Sequence, residues 1–500
     1  MKAETPASTV ENRAGAFRLG PFPMALVMLL LLISALASII LADRSRDITL
    51  VFLSEGLFLA LLIVIAWNGR RRPLFVFAVI LWWLILQNII LTPLSKLLHP
   101  STVRLLIGAK EFLFLLILAS SVLHFVGRLS KRGRENFAVL GPDIVAVFFL
   151  VILAVAFLRG HSFPFLTRAT YLRFFAILPV CYFVGRSLPL DARHLKSVFR
   201  LTVGAALTLS LFGFFELLFL KDSFWKSVGV LEFFSAKGTA AWTAVSVKFY
   251  NWHTWDFGFP MRRMISLILE PTTLGEFFAG ATLMTVFSGF FIGLKREVLA
   301  FVLLAGLILS FGKGGWVIFM VGAFMILLKE HKRLAVVVGA LFLVFGALFV
   351  LYNIQAGGNV PIHIRGFYEG ARFAAGHPLG AGLGSGGVFA ALYGAQRHFQ
   401  GKESTLGTML VQMGFVGTLL YVLFFLLLIR NLSRLAGAPP DQPEGPLIQR
   451  SALVISGCLA GLFIVTFFSE SAMGVIGTGL FLVIAGILHN FYPKKVTLSL

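Results

Sequence analysis

Long apolar runs alternate with short polar breaks along this chain, and the runs are as long as a bilayer is thick. A transmembrane helix needs roughly 20 apolar residues. That rule predicts about fourteen spans, near 22–42, 48–67, 73–92, 105–126, 137–158, 171–187, 199–220, 263–293, 297–311, 315–328, 334–352, 405–429, 451–468 and 472–490. The pair 297–311 and 315–328 is interrupted by Gly312-Lys313-Gly314-Gly315, either a tight hairpin or a break within one longer helix. The polar first twenty residues precede an apolar run without a small-residue cleavage site, which predicts a retained first helix.

Composition agrees. Of 500 residues, 58% are hydrophobic, 13% are charged and 53 are Phe, and mean hydropathy is +0.90. A soluble chain cannot hide that much apolar surface, so the pattern predicts an all-α polytopic membrane protein. Cys181 and Cys458 both fall in apolar runs, against a disulfide scaffold or a zinc site. Formal charge is +21, yet no basic run with interleaved aromatics suggests nucleic acid. The excess cations fit contact with anionic membrane lipids.

Lys and Arg in short loops set orientation. With the N-terminus inside, inner loops carry Arg70–Arg72, Arg128, Lys131, Arg132, Arg134, Arg186, Arg193, Lys196, Arg200, Lys295, Arg296, Lys329, Lys332, Arg333, Arg430, Arg434 and Arg450; the tail carries Lys494 and Lys495. Short outer loops carry Arg44, Arg46, Lys96, Arg104, Arg159 and Arg168. The expected organisation is a cytoplasmic tail (1–21), N-terminal spans (22–220), a first long outer connection (221–262), middle spans (263–352), a second long outer connection (353–404), C-terminal spans (405–490) and a cytoplasmic tail (491–500). The stretch 431–449 reads as a plain inner linker.

Connections beyond about 15 residues are usually functional or disordered. Both outer ones are basic and rich in Trp, Phe, Tyr and His. Glu55, Lys110, Glu111, Arg173, Glu216, Glu270 and Glu276 lie within spans, mostly in their outer halves. Such groups either snorkel from helix ends or line a functional cavity; the long connections on the same face favour an outward-opening cavity.

GHPLGAGLGSGG, Gly376–Gly387, is half glycine. It lacks the Lys-Ser/Thr ending of a P-loop, follows no strand and lies on the face without a nucleotide pool, which argues against ATP binding. Two readings remain, a turn that lets helices approach closely or backbone N–H groups that hold an anion at the outer leaflet, and the surrounding residues favour the second.

The residues around it carry a resemblance. RGFYEGARFAAGHPLGAGLGSGG is followed about fifteen residues later by ESTLGTMLVQMGFVGTLLYVLFF. This resembles the O-antigen polymerase/ligase family (Wzy- and WaaL-type membrane glycosyltransferases), in which an Arg-bearing outer loop leads to a P-L-x-G-x-G stretch. There a His-Asn pair then opens a helix bearing an acidic residue and glycines. Pro378, Leu379, Gly380, Gly382 and Gly384 match the stretch, and Gly414 and Gly417 match the helix glycines. Glu403 and Ser404 stand where the family usually has His and Asn, and Gln412 where a Glu is common. RRMISLILEPTTLGEFF (Arg262–Phe278) is similar to the family's Arg-then-Pro segment, and SFGKGGWVIFMVG (Ser310–Gly322) to its Ser-Arg-Gly segment, with Lys313 for Arg. The likeness covers about the last half of the chain.

The resemblance implies a GT-C-like bundle with two long periplasmic loops in a bacterial inner membrane. It implies transfer of glycan from undecaprenyl diphosphate to a sugar hydroxyl. The implied partners are an undecaprenyl-diphosphate-linked oligosaccharide, a chain-length regulator (co-polymerase) and a flippase. Such transfer needs a cation for the leaving diphosphate and a base for the acceptor hydroxyl. No acidic metal motif stands out, so no cofactor is expected. Arginine's planar fork suits diphosphate; Arg365 and Arg372, seven apart on one helical face, are the first candidates, with Glu403 as base. Arg262, Arg263, Lys313, Arg397, His398, His377 and Glu270 are candidate substrate contacts. His398 is the rival base, and His377 beside Pro378 also suits shaping the turn. Trp242, Trp252, His253 and Trp255 suit stacking on sugar rings or an interfacial belt. The expected activity is a polysaccharide polymerase. Alternatives are a ligase that moves finished glycan to lipid A core or protein, and, from another class, a lipid-linked oligosaccharide flippase.

Overall fold

A computed structural model describes residues 60–67, 71–130, 139–237, 252–254, 259–355, 360–392, 403–438 and 444–492. The expected span 22–42, most of 48–67, and Trp242, Trp255, Arg397 and His398 lie outside them. In chain order the helices are α1 (Pro73–Leu94), α2 (Pro100–Ser130), α3 (Gly141–Arg159), α4 (Phe165–Ser187), α5 (Ala192–Phe219), α6 (Asp222–Val228), α7 (Val230–Lys237), α8 (Pro271–Phe287), α9 (Leu294–Ser310), α10 (Lys313–Glu330), α11 (Lys332–Gln355), α12 (Val360–Gly376), α13 (Val388–Leu392), α14 (Thr405–Leu435), α15 (Gly445–Val465) and α16 (Leu480–His489). The sheet among the described residues is one antiparallel pair, β1 (His253–Thr254) with β2 (Met261–Arg262).

This is an all-α membrane protein. Among the described residues seven helices, α1, α2, α3, α5, α11, α14 and α15, are long and apolar enough to cross a bilayer. α8, α9, α10 and α16 are shorter, at 17, 17, 18 and 10 residues. The exposed apolar side chains of α11, among them Leu341, Leu343, Val344 and Leu348, suit contact with lipid.

Glycines set how closely the central helices meet. A Cβ on Gly315 would lie 2.4 Å from the backbone of Gly275, and one on Gly461 2.5 Å from Ile318 Cα. Gly322 and Gly457 face each other in the same way. α8, α10 and α15 therefore touch backbone to backbone, as small residues allow inside membranes. The Gly312–Gly315 stretch ends α9 at Phe311, which is left-handed (φ 47°), and starts α10. Its residues sit on Gly275 near the first turn of α8, and both α9 and α10 pack against α8.

Contacts between elements join residues that the loop charges assign to one face. Asp143, Arg186 and Asn490 meet through Arg186 Nη2–Asp143 Oδ2 (3.1 Å) and Arg186 Nη1–Asn490 Oδ1 (2.8 Å). Lys329 Nζ donates to Ser433 O at 3.2 Å. From the other set, Lys96 Nζ donates to Ser227 O at 2.5 Å and Arg104 Nε to Ala236 O at 2.7 Å.

Three expected spans are not plain helices. The run 263–293 holds one 3₁₀ turn (Ser266–Ile268) and becomes α-helical only at Pro271. Proline disfavours helix at the residue before it, and Glu270 is extended (φ −133°, ψ 103°). Asn88 Nδ2, Trp252 Nε1 and Ser266 Oγ tie residues 266–269 to α1, the β pair and α5. The run 405–429 is broken at Gly414 (φ 68°, ψ −161°), and 472–490 opens with a 3₁₀ turn and a π stretch before α16. The described parts of the long connections hold α6, α7 and the β pair in one, α12 and α13 in the other.

Candidate functional site

The break at Gly414 organises the site. Ser404 caps the half-helix 405–413, its Oγ accepting from Gly407 N at 3.0 Å. At the far end the carbonyls of Val411 and Gln412 are bound by the glycine-rich segment: Ala381 N donates to Val411 O (2.8 Å) and Gly382 N to Gln412 O (3.0 Å). Gly384 N donates to Gln412 Oε1 (3.0 Å), and Gln412 Nε2 to Gly386 O (2.7 Å). Leu383 N reaches Ala156 O (2.9 Å), while Phe415 N takes Pro378 O (2.9 Å). Arg159 clasps the loop, Nη1 to Leu379 O (2.7 Å) and Nη2 to Gly380 O (3.1 Å).

The N–H groups of Ala381–Gly384 are thus spent on helix ends and Gln412. They plug a broken helix, which corrects the favoured reading of these N–H groups as an anion cradle: each already has a protein acceptor. Gln412, in the position where the resembling family carries an acid, is the side chain that spans this loop.

Glu403 stands just before the half-helix, 43% exposed at its side chain, with Oε2 3.5 Å from His363 Nδ1 of α12. His363 Nδ1 also lies 3.3 Å from Glu403 O. α12 approaches because Gly370 faces Gly407; a Cβ on Gly370 would lie 2.5 Å from Gly407 O. At roughly 100° per residue, His363, Gly366 and Gly370 share this packed side of α12, and Arg365, Glu369 and Arg372 lie on the other. Arg365 Nε donates to Glu369 Oε1 at 2.6 Å, and Arg372 is exposed. The two arginines therefore share a face, as expected, but it is not the face that meets Glu403. His363 is the partner that sequence reading missed: it lies forty residues from Glu403, and only helix packing joins them.

The other candidates are held by structural contacts. Arg262 Nη2 binds Glu216 Oε1 (2.5 Å), and its Nη1 binds Leu220 O (2.8 Å) and Asp222 Oδ1 (3.1 Å), fastening the end of α5 to the β pair. Arg263 caps α9 through Ser310 O (3.0 Å) and Phe311 O (3.1 Å). Lys313 Nζ lies 5.7 Å from the Phe349 ring centroid. His377 stacks on Phe373 at 4.4 Å and is exposed. Trp252 is fully buried against Trp225 and cannot stack on a sugar. Glu216 is buried, so Arg262→Met, which leaves that carboxylate without its guanidinium, is expected to cost about 3–5 kcal/mol of stability. Thermal unfolding in detergent measures it.

A band of ionisable groups runs from Glu403 across the bundle. Glu470, in the connection between α15 and the π stretch, feels the charge of Glu403 and accepts from Thr408 Oγ1 at 2.6 Å. Next to it in sequence, Ser471 Oγ donates to Glu276 Oε1 at 2.6 Å. Glu276 feels Glu270, which is ion-paired with Lys237 and accepts from Thr273. Lys110 lies in reach of Lys237, Glu111 and Arg173. Glu270 belongs to this band, bound to Lys237. Among the described residues, Glu276 Oε2 and Glu470 Oε2 are buried without a hydrogen-bond partner, and no group of three His, Cys, Asp or Glu gathers to hold a metal.

Burial pushes the Glu470 carboxyl from 4.5 up to about 8, and the Glu403 charge adds to the rise. A carboxyl raised in the folded state is held neutral there. Its contribution is complete below pH 4.5 and is lost as pH rises through about 8. Glu470→Gln, which keeps an oxygen for Thr408, is expected to remove this loss. Wild type should fall behind the variant by up to about 4–5 kcal/mol between pH 4.5 and 8. Unfolding temperature against pH for both proteins tests it; parallel curves would show that Glu470 ionises normally.

No protein-family model matches the chain, and no curated protein matches it.

Proposed function

We propose that the protein is a membrane glycosyltransferase that polymerises lipid-linked repeat units into a surface or extracellular polysaccharide. The donor is a glycan on undecaprenyl diphosphate, the acceptor a sugar hydroxyl of a second lipid-linked unit, and the site opens at the outer face of the inner membrane. The observation that carries the reading is the Glu403–His363 pair at the mouth of the broken helix α14, at one end of a band of buried carboxylates and cations. The Glu403 carboxylate takes the acceptor's hydroxyl proton, and His363 holds that carboxylate in place. The acceptor oxygen bonds to the anomeric carbon. The bond from that carbon to the diphosphate oxygen breaks, and its electron pair leaves on undecaprenyl diphosphate. Cations near the departing oxygen favour the last step. Wzy- and WaaL-type enzymes share this chemistry, and the order of matching segments from Arg262 to Gly417 supports membership of that group. A GT-C-like bundle, a co-polymerase and a flippase as partners, and cytoplasmic termini belong to the same proposal.

The test is the purified protein in lipid with a polyprenyl-diphosphate repeat unit. A ladder of lipid-linked glycans supports polymerisation; transfer only after lipid A core is added makes it a ligase. One observation favours a transporter of lipid-linked glycan: α14 and the segment leading into α16 are both discontinuous beside buried carboxylates, a feature of secondary transporters. Movement of labelled lipid across the bilayer without glycan transfer would establish that reading instead.

A further inference from the structure

Three cations converge at the far end of the ionisable band. Lys110 comes from α2, Arg173 from α4 and Lys237 from the last turn of α7. Lys110 and Arg173 meet on Glu111, and α2 packs against α7, where Arg104 Nε donates to Ala236 O beside Lys237. Lys110 lies ten residues into α2 and Arg173 eight into α4, so each is about 12–15 Å along its helix. Ionisable groups gathered inside a membrane bundle usually serve a ligand path.

Two carboxylates share this space. Glu111 Oε1 lies 3.4 Å from Lys110 Nζ and 3.9 Å from Arg173 Nε, and Glu270 pairs with Lys237. Three cations against two carboxylates leave an excess of one positive charge. Arg173 holds the least committed donors: its side chain is 43% exposed, and Glu111 at 3.9 Å is its one ion-pair contact among the described residues. Like charges brought together in a low-dielectric site are unfavourable unless an anion joins them. A guanidinium with open donors beside two ammonium groups matches the oxygens of a phosphate or diphosphate.

We propose that Lys110, Arg173 and Lys237 form a binding site for a phosphate or diphosphate headgroup. Resting on the transferase reading for the choice of ligand, it holds the diphosphate headgroup of a polyprenyl lipid apart from the Glu403 base, at the other end of the band. Glu111 and Glu270 hold the cations in position while the site is empty, and they weaken it for an anion.

The test is binding, measured without turnover. Wild-type protein in nanodiscs is titrated with undecaprenyl diphosphate, undecaprenyl phosphate and inorganic pyrophosphate. Arg173→Gln and Lys110→Met are expected to weaken diphosphate binding about tenfold or more each, the scale of losing a charge-assisted hydrogen bond. Glu111→Gln is expected to strengthen it several-fold, a change that a misfolded variant cannot produce. Binding by wild type that none of the three variants alters overturns the site and leaves the transferase reading standing. Pyrophosphate binding with the same variant pattern, but no binding of the polyprenyl diphosphate, keeps the anion site and overturns the lipid-linked donor. No binding of any of the three probes overturns the site, while glycan transfer, assayed separately, decides the activity.

Discussion

Glu403→Gln is expected to lower glycan transfer by about 10²–10⁴-fold, the usual contribution of a positioned general base, with little change in unfolding temperature. The asymmetry follows from its surroundings. The Glu403 side chain is 43% exposed and its side-chain neighbour is the His363 imidazole at 3.5 Å, so little folding energy rests on it. The half-helix keeps its cap through Ser404. His363→Gln is expected to give a smaller loss, because it removes the group that steadies the carboxylate and leaves the base in place. Glu403→His places an imidazole where the resembling family carries one. It should recover part of the activity, with a pH profile that breaks near the imidazole value of about 6.5. Glu403→Gln with wild-type turnover would remove Glu403 from the chemistry altogether.

Gly414→Ala is expected to cost about 3–5 kcal/mol or to leave no folded protein in detergent extracts. Gly414 lies at φ 68°, ψ −161°, a region essentially restricted to glycine. An added Cβ would also fall 2.1 Å from Pro378 O and 2.5 Å from Gly380 N. Those atoms belong to the loop whose N–H groups satisfy the end of the half-helix. The methyl group would therefore strain the backbone and push away the partners that the broken helix requires. Gly417→Ala is the informative comparison. It lies one turn further along α14 and is not left-handed, so an added Cβ, 2.6 Å from Met413 Cβ, asks for a small backbone shift but adds no conformational strain and displaces no loop. It should be milder. Size-exclusion profiles and unfolding temperatures of both variants read the difference.

Much of the architecture was legible because a bilayer imposes one simple rule. The apolar runs near 73–92, 105–126, 137–158, 199–220, 334–352 and 451–468 each coincide with a helix long enough to cross, in which the backbone satisfies its own hydrogen bonds in lipid, and 405–429 coincides with one broken at Gly414. What hydropathy could not reveal is where a helix stops inside an apolar run. Residues 263–270 and 475–479 are as apolar as their neighbours, and their departure from α-helix rests on Pro271, on buried Asn88 and Trp252, and on contacts with other helices.

The site divides in the same way. Motif order pointed to Glu403, Gly414 and the loop at Gly380–Gly384, because glycine and proline requirements are local and leave a trace in sequence. It also pointed to Arg262 and Arg263, which the fold commits to Glu216 and to the end of α9. The residue types did not distinguish a structural arginine from a ligand-binding one. That depends on whether a buried carboxylate or a helix terminus lies within reach.

From its sequence alone, then, the chain specifies its helical class, its long apolar helices and the glycines that permit backbone contact, because each follows from local composition and spacing. Tertiary structure alone decided that His363 meets Glu403, that Gln412 spans the glycine-rich loop and that Lys110 and Arg173 meet on Glu111. Pairings across tens to hundreds of residues depend on how helices rotate and cross. Side-chain packing sets those angles, and no periodicity in the chain records them.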